Sequence, residues 1–499
     1  MFLHRITFVL VVFLGIAGFH LASVSIVASS GAAWADDGGG GDGGGGGDDG
    51  GGGDDGGGSS SGGGSSSGGN GGNATRGGTG GGGAGNFLRD LRRVFQGKPA
   101  KQRSRQTRQA TPEPAPRLAR APNEIVARDL SPEDTAALVT LGYTVLEEAE
   151  LVALNSTVLR LEVPDGVTLE EARIAIRSLP TGDATDFNHY YRTEQDDPAQ
   201  ETPSGAALPA CDGLHCPARA LINWPDDLGA AACGAPVRLG MVDTGLNPDH
   251  ESLKDADIDV IRIAPEDYTP SSAIHGTAVA AILVGGAESR APGLLPGLPL
   301  VAVDAFHKQS GDERADAFTL VRSLDYLARN EVRIINLSLA GPPNDVLERS
   351  LEKLTGEAGI TVVAAAGNAG PNADPAYPAA YDSVIAVTAV DRNERVYRRA
   401  GRGPHVDLAA QGVDVWTAAS VKGARWKTGT SFAVPYVTAA AALWLQNDPV
   451  LTPPVLRERL IRTARDLGPE GHDEIYGYGL VDLGNGCPDP AALLPASLD

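Results

Sequence analysis

From about Pro236 onward, five apolar runs alternate with helical patterns: VRLGMV, LVAVDAF, VRIINLSL, ITVVAAAG and VIAVTAV. No other feature constrains the fold as much. A strand with one wet face alternates apolar and polar residues, so an unbroken apolar strand must be covered on both faces. Between the runs, Ala317, Leu320, Val321, Leu324, Leu327 and Ala328 fall on one helical face, and Leu347, Leu351 and Leu354 do the same. Buried strands joined by amphipathic helices predict an α/β fold: a doubly wound parallel sheet with helices on both sides. Reactive groups in such sheets stand just beyond the carboxyl ends of the strands.

That placement singles out four polar residues. Asp243 ends the run VRLGMVDTG, and His275 opens the helical run HGTAVAAIL. Asn368 follows VVAAAGN, and Ser431 lies in KTGTSFAVPYV, ahead of a long Ala-rich helical run. A serine hydroxyl is a weak nucleophile at neutral pH and needs a base. His275 would take its proton and return it to the leaving amine, while Asp243 would hold the imidazole in the right tautomer. The Asn368 amide and the Ser431 backbone N–H would donate to the oxyanion. Gly429 allows close backbone approach, and Pro435 falls in the first helical turn, where a missing N–H costs little.

Each residue alone has a plainer reading. Asp243 could be a turn residue, His275 a core or capping histidine, Asn368 a helix cap. The Asp-Thr-Gly triplet also occurs in aspartic peptidases, but a second triplet is absent here. Joint occurrence decides between them. DTG, HGT, AAGN and GTS-x-A-x-P, in this order over about residues 225 to 485, resemble the motifs of the subtilisin-like serine peptidases, the subtilases of peptidase family S8. The resemblance implies a serine endopeptidase working through an acyl-enzyme. Asp243, His275 and Ser431 would be catalytic, with Asn368 and the Ser431 N–H as the oxyanion hole.

By the same resemblance, Ser338, Leu339 and Ala340 form one wall of the substrate cleft and Ala365, Ala366 and Gly367 the other. Ala376 stands where many members carry glycine at the pocket floor. No acid is evident there, so the resemblance implies an apolar pocket of modest depth rather than selection of Arg or Lys. The chain departs from the family at Ala278 to Ala281, at Phe432 (often Met) and at Tyr436 (often His), and none of these changes removes a catalytic group. No metal site is assigned and no cofactor is expected. The segment after His275 lacks the Asn-containing loop of the family's strong calcium site. Asp255, Asp257, Asp259 and Glu266 have calcium-loop spacing, but Val260 stands where glycine is needed and Pro265 breaks the exit. Structural calcium is therefore unsupported. His250-Glu251 starts like a zinc-binding helix, but Lys254 replaces the second histidine.

Ahead of the peptidase-like region, residues 123–200 read as β-α-β-β-α-β, a ferredoxin-like α+β arrangement. Ser131-Pro132-Glu133-Asp134 is a helix start, and Thr168 with Glu171 makes a capping box. Position and topology resemble the family's propeptide, which implies a folding aid that then inhibits, with self-cleavage between Tyr191 and Cys211. Residues 1–35 read as a signal peptide: Arg5, an apolar run from Ile6, and Ala33-Trp34-Ala35 as the cleavage site. An uncleaved anchor is the other reading, weakened by His20 and four serines. Residues 36–88 are a Gly/Asp/Ser tether, unable to bury enough surface to order itself. Residues 89–122 are a basic Pro/Gln-rich linker, 201–224 a second linker, 225–485 the peptidase domain and 486–499 a short tail.

Export suits four cysteines. Cys211 with Cys216 would close a small loop, leaving Cys233 with Cys487; the other two pairings stay open. The formal net charge of -22 argues against a nucleic-acid partner. Expected partners are protein or peptide substrates and the chain's own propeptide, acting on a monomer in the periplasm, at the cell surface or outside the cell. The alternative function is a non-catalytic or permanently inhibited surface-tethered binding protein on a peptidase scaffold.

Overall fold

The computed structural model describes residues 117–193, 213–225, 233–484 and 487. The expected signal, the tether, most of the basic linker, the segment of the expected self-cleavage from 194 onward, Cys211 and most of the tail lie outside the described residues.

A small α+β unit comes first: β1 (Arg120–Arg128), α1 (Pro132–Thr140), β2 (Thr144–Leu151), β3 (Ser156–Glu162), α2 (Leu169–Arg177) and β4 (Thr185–Tyr191). Its strands lie in the order β2-β3-β1-β4, antiparallel throughout. The helix starts are set locally. Ser131 caps α1 by accepting from Asp134 N, and Thr168 and Glu171 form a reciprocal capping box on α2. β1 begins at Arg120, ahead of the boundary expected at 123, and its last four residues are all buried instead of alternating. Both of its faces are covered. Ile125 and Ala127 pack with Leu138, Leu169 and Ile176 of the unit's own helices, while Val126 packs into the core of the larger domain.

The larger domain contains α3 (Cys216–Leu221), β5 (Leu239–Asp243), β6 (Ile258–Arg262), β7 (Thr269–Pro270), α4 (Ile274–Val284), β8 (Leu300–Asp304), β9 (His307–Gln309) and β10 (Asp312–Asp316). There follow α5 (Ala317–Arg329), β11 (Ile334–Leu337), α6 (Asp345–Gly356), β12 (Thr361–Ala365), β13 (Ile385–Val390), β14 (Leu408–Gln411), β15 (Val415–Ala418), β16 (Ala424–Lys427), α7 (Val434–Asn447) and α8 (Pro453–Thr463). Seven strands form a wholly parallel sheet in the order β14-β13-β12-β11-β5-β8-β6. Successive side chains feed opposite faces, as strand geometry requires. Leu239 and Met241 enter the core under α4 and α7, whereas Val242 enters the core under α5 and α6. Both faces are therefore apolar, which is why the strand runs show no alternation. The strand order reverses direction between β5 and β11, the position where doubly wound sheets open a crevice.

The small unit lies against α5 and α6. Asp186 of β4 accepts from Asp345 N at the start of α6 (3.1 Å), and Asn188 accepts from Phe318 N at the start of α5 (3.3 Å). Each satisfies an N–H that a helix end leaves without an intrahelical partner. Asp325 Oδ1 accepts from Ala153 N at 2.8 Å, and Lys353 Nζ donates to Leu154 O at 2.7 Å. In addition, Tyr191 and Tyr190 of β4 pair with Ala315 and Asp316 of β10. The small sheet thus runs on through β10 and β9 to β7, making seven strands. Cys233 is bonded to Cys487, which selects one of the pairings open in the sequence. Among the described residues, no helix is long and apolar enough to cross a membrane.

Candidate active site

β5 delivers Asp243, fully buried, at its carboxyl end. Asp243 Oδ1 accepts two hydrogen bonds of 2.7 Å, one from His275 Nδ1 and one from Thr244 N. His275 reaches it from the first turn of α4, a helix buried along nearly its whole length. The approach depends on Gly276. Its N–H donates to Thr244 Oγ1 at 3.0 Å, and a Cβ at 276 would lie 2.4 Å from Thr244 O and 2.6 Å from Gly245 O. Gly276→Ala is expected to push α4 off the β5 turn. It should cost about 1–3 kcal/mol of stability, and a lengthened Asp243–His275 bond should lower kcat by at least about tenfold. Denaturant titration and steady-state kinetics check this; unchanged values in both would refute the packing role.

Beyond β12 the chain reaches Asn368. Its Oδ1 accepts from Thr430 N (2.9 Å) and Thr430 Oγ1 (3.0 Å), which fixes the amide's orientation. Its Nδ2 is buried without a hydrogen-bond partner. A buried amide N–H group left unpaired is costly unless some state of the molecule uses it. Gly429 lets the serine loop close on this amide, since a Cβ there would lie 3.0 Å from Asn368 Nδ2.

Ser431 sits in a short 3₁₀ turn, Thr430–Phe432, that leads into α7. The sequence places it ahead of the long helix, and this turn fills the interval. The intervening turn is tightened by bonds from Phe432 N to Gly429 O and from Ala433 N to Thr430 O, and Pro435 then takes the second position of α7. Ser431 is fully buried, and its Oγ donates to Ser338 O at 3.2 Å. Ser338 Oγ donates in turn to Ser431 O at 2.8 Å. The Phe432 ring lies 5.4 Å from the His275 ring, so the serine turn and the histidine helix meet directly.

Asp243 thus stands at the carboxyl end of β5, and Ser338 and Asn368 beyond those of β11 and β12, with His275 and Ser431 brought in by α4 and the turn before α7. Of the residues expected to bind substrate, Ser338, Leu339 and Ala340 follow β11. This wall is occupied: Arg192 and Ala340 exchange both backbone hydrogen bonds at 2.9 Å. Ala365 and Ala366 are buried at the end of β12, and Gly367 follows with φ of +93°. Ala376 is half-buried beside Tyr377, whose backbone pairs with Gly341 next to the first wall. β11 and β12 are neighbours in the sheet, so the segments that follow them leave it side by side.

The alternative metal readings dissolve into ordinary structure. Asp259 lies within β6 and Asp257 immediately before it, so this segment is a strand and not a twelve-residue loop. His250 accepts from Ser252 N through Nδ1 and donates from Nε2 to Gly423 O, which tie a turn to the β15–β16 hairpin. Among the described residues, no three His, Cys, Asp or Glu side chains gather as a metal-holding group. Sequence reading missed Thr244, Gly276 and Thr430 as supports. Each lies one residue from a catalytic candidate, and adjacency was the available signal.

The Subtilase family model (Peptidase S8) matches residues 234–479. The chain is 34% identical over 254 residues to subtilisin DY of Bacillus licheniformis, covering 50% of this chain and 90% of that one. It is 31% identical over 255 residues to the minor extracellular protease Epr of Bacillus subtilis (strain 168), covering 50% of this chain and 38% of that one. Fervidolysin from Fervidobacterium pennivorans, a keratinolytic enzyme related to subtilisin, superposes with a TM-score of 0.64 at 20% identity. That likeness is one of fold, and it covers 74% of this chain and 62% of fervidolysin.

Proposed function

The chain belongs to the subtilase family and is a serine endopeptidase acting on proteins or peptides; on that premise we propose that Asp243, His275 and Ser431 carry its chemistry and that it is made as a self-processing exported precursor. The observation that carries the assignment is the 2.7 Å bond between Asp243 and His275, beside the buried turn that bears Ser431.

In this reading Ser431 Oγ gives up its bond to Ser338 O and attacks the scissile carbonyl as His275 takes its proton. Asp243 keeps the Nδ1–H of His275 pointed inward and stabilises the imidazolium. The new oxyanion meets Asn368 Nδ2 and the Ser431 N–H, donors already in place and shielded from water. His275 then protonates the leaving amine, and water releases the acyl group by the same steps reversed. Ser338 to Ala340, Ala365 to Gly367 and Ala376 line the cleft that holds the peptide.

The small unit reads as a ferredoxin-like propeptide. Its strand order, its docking on α5 and α6, and the pairing of Arg192 with Ala340 all support an inhibitor whose tail enters the cleft. Self-cleavage falls between Tyr191 and Cys211. The extracellular naming of the relative Epr, and the signal-like first 35 residues, favour export. The reading in which the tail stays bound for good draws on the same Arg192–Ala340 pairing, and the following assay separates the two.

The test is labelling of the full chain with a fluorophosphonate probe, before and after a limited proteolytic nick near residue 200, beside Ser431→Ala. Labelling of the wild type that disappears in Ser431→Ala is expected. Labelling only after the nick would indicate lasting self-inhibition. A wild type that never labels would defeat the catalytic assignment.

A further inference from the structure

The short stretch that leaves β4 runs along the cleft wall in a definite antiparallel register. Arg192 faces Ala340. In an antiparallel peptide each step forward from the residue that faces Ala340 is one step back along the wall, so the second residue onward in a substrate bound this way would face Ser338. The Ser338 carbonyl is the one that receives Ser431 Oγ. A peptide bound in this register presents to Ser431 the bond after that residue. Arg192 and Tyr191 then correspond to the third and fourth residues ahead of the cut.

Both side chains are received by built structure. Tyr191 is fully buried against Gly341, where a Cβ would lie 2.5 Å from Tyr191 Cδ1, and its hydroxyl donates to Pro342 O at 3.0 Å. Arg192 makes a two-pronged contact: Nε and Nη2 donate to the two carboxylate oxygens of Asp312 at 2.8 and 2.7 Å. Arg192 and Asp312 are only 19% and 13% exposed, so solvent screens this pair less than an ordinary surface ion pair. Asp312 is held from behind by Arg314 Nη1 at 3.0 Å. Burial pushes the Asp312 carboxyl up, but its bonds to Arg192 and Arg314 outweigh this and hold it below the usual range. Asp312 lies on the β9–β10 hairpin, on the enzyme side of the cleft.

We propose that Asp312 selects substrates: it reads an arginine at the third position before the scissile bond. The chain's own tail, Tyr191-Arg192, is the first peptide to satisfy this site. The cleft therefore carries an acid after all. It stands on the hairpin flanking the third residue, and not in the pocket beneath the scissile bond. The inference rests on the hydrolytic reading given above.

The experiment uses the full chain, activated until fluorophosphonate labels Ser431, and quenched peptides containing Tyr-Arg-Thr-Leu-Gln, with an apolar residue before the cut, or the same peptide with Ala or Glu in place of Arg. A paired, partly buried guanidinium should raise kcat/KM about ten- to a hundredfold over alanine, with glutamate slower than alanine. Asp312→Asn should bring the Arg-to-Ala ratio close to one. Equal turnover of the Arg and Ala peptides by the wild type would overturn the inference without any variant, and so would a preference that survives in a folded Asp312→Asn enzyme. An unlabelled Ser431 would instead bring down the hydrolytic reading, and this inference with it.

Discussion

Replacing His275 with alanine should lower kcat by roughly 10⁶-fold, the magnitude established for loss of the corresponding group in the related subtilisin, while KM changes only a few-fold. A neutral serine hydroxyl holds its proton far too tightly to attack an amide at pH 7, and it needs an acceptor within reach. In this cleft His275 is the candidate acceptor because Asp243 holds it by Nδ1, which turns Nε2 toward the interior. Alanine at 275 keeps the helix start and loses only the ring contact with Phe432 of the turn before α7, so circular dichroism should be unchanged while turnover of a peptide nitroanilide collapses. A variant retaining more than about one part in a hundred of wild-type kcat would show that another group serves as base.

Asp243→Asn is expected to cost about 10⁴-fold in kcat near neutral pH, for a different reason. Asp243 Oδ1 accepts from two donors at once, His275 Nδ1 and Thr244 N. An asparagine has one accepting oxygen and one donating nitrogen. If the oxygen takes the Oδ1 position both bonds survive but the charge that stabilises the imidazolium is lost; if the nitrogen takes it, it faces His275 and the imidazole proton moves to Nε2. That nitrogen can then no longer accept a proton from Ser431. Size and shape are nearly conserved, so the thermal unfolding midpoint should move much less than the rate does. A kcat within tenfold of wild type would show that the carboxylate's charge and tautomer control are dispensable.

The parts that were legible in the sequence were those whose cause is local. Unbroken apolar runs marked β5, β8, β11, β12 and β13, because each of these strands is buried on both faces by helices of its own domain. The four reactive residues were legible because their motifs combine small residues with a single polar group at a strand or helix end. The Ser131 and Thr168 caps could be read directly from neighbouring residues.

What could not be read depends on partners distant in the chain. β10 has the sequence Asp312-Glu313-Arg314-Ala315-Asp316, which has no strand period and reads as a solvated charge run. It becomes a strand because β4 and β9 pair with its two sides. The role of Asp312 was hidden for the same reason, since its partner Arg192 lies 120 positions away. Burial of β1 on both faces arises only once the small unit meets the larger domain. The 3₁₀ turn at Ser431 had no local signal, because the loop that forms it must also close on Asn368.

The pairing of β4 with β10 gives this protein two different surfaces in its lifetime if the small unit departs. While it is docked, β10 is an interior strand. Once it leaves, the backbone groups of Ala315 and Asp316 that faced Tyr191 and Tyr190 become a bare sheet border, the kind of template on which stray chains assemble into aggregates. The composition of β10 answers that hazard. Four of its five residues are charged, with both signs present. Any strand laid along this border would have to place its own side chains against that mixed row. The same residues that made β10 hard to recognise as a strand would then act as gatekeepers, keeping an enzyme freed of the small unit from recruiting its neighbours.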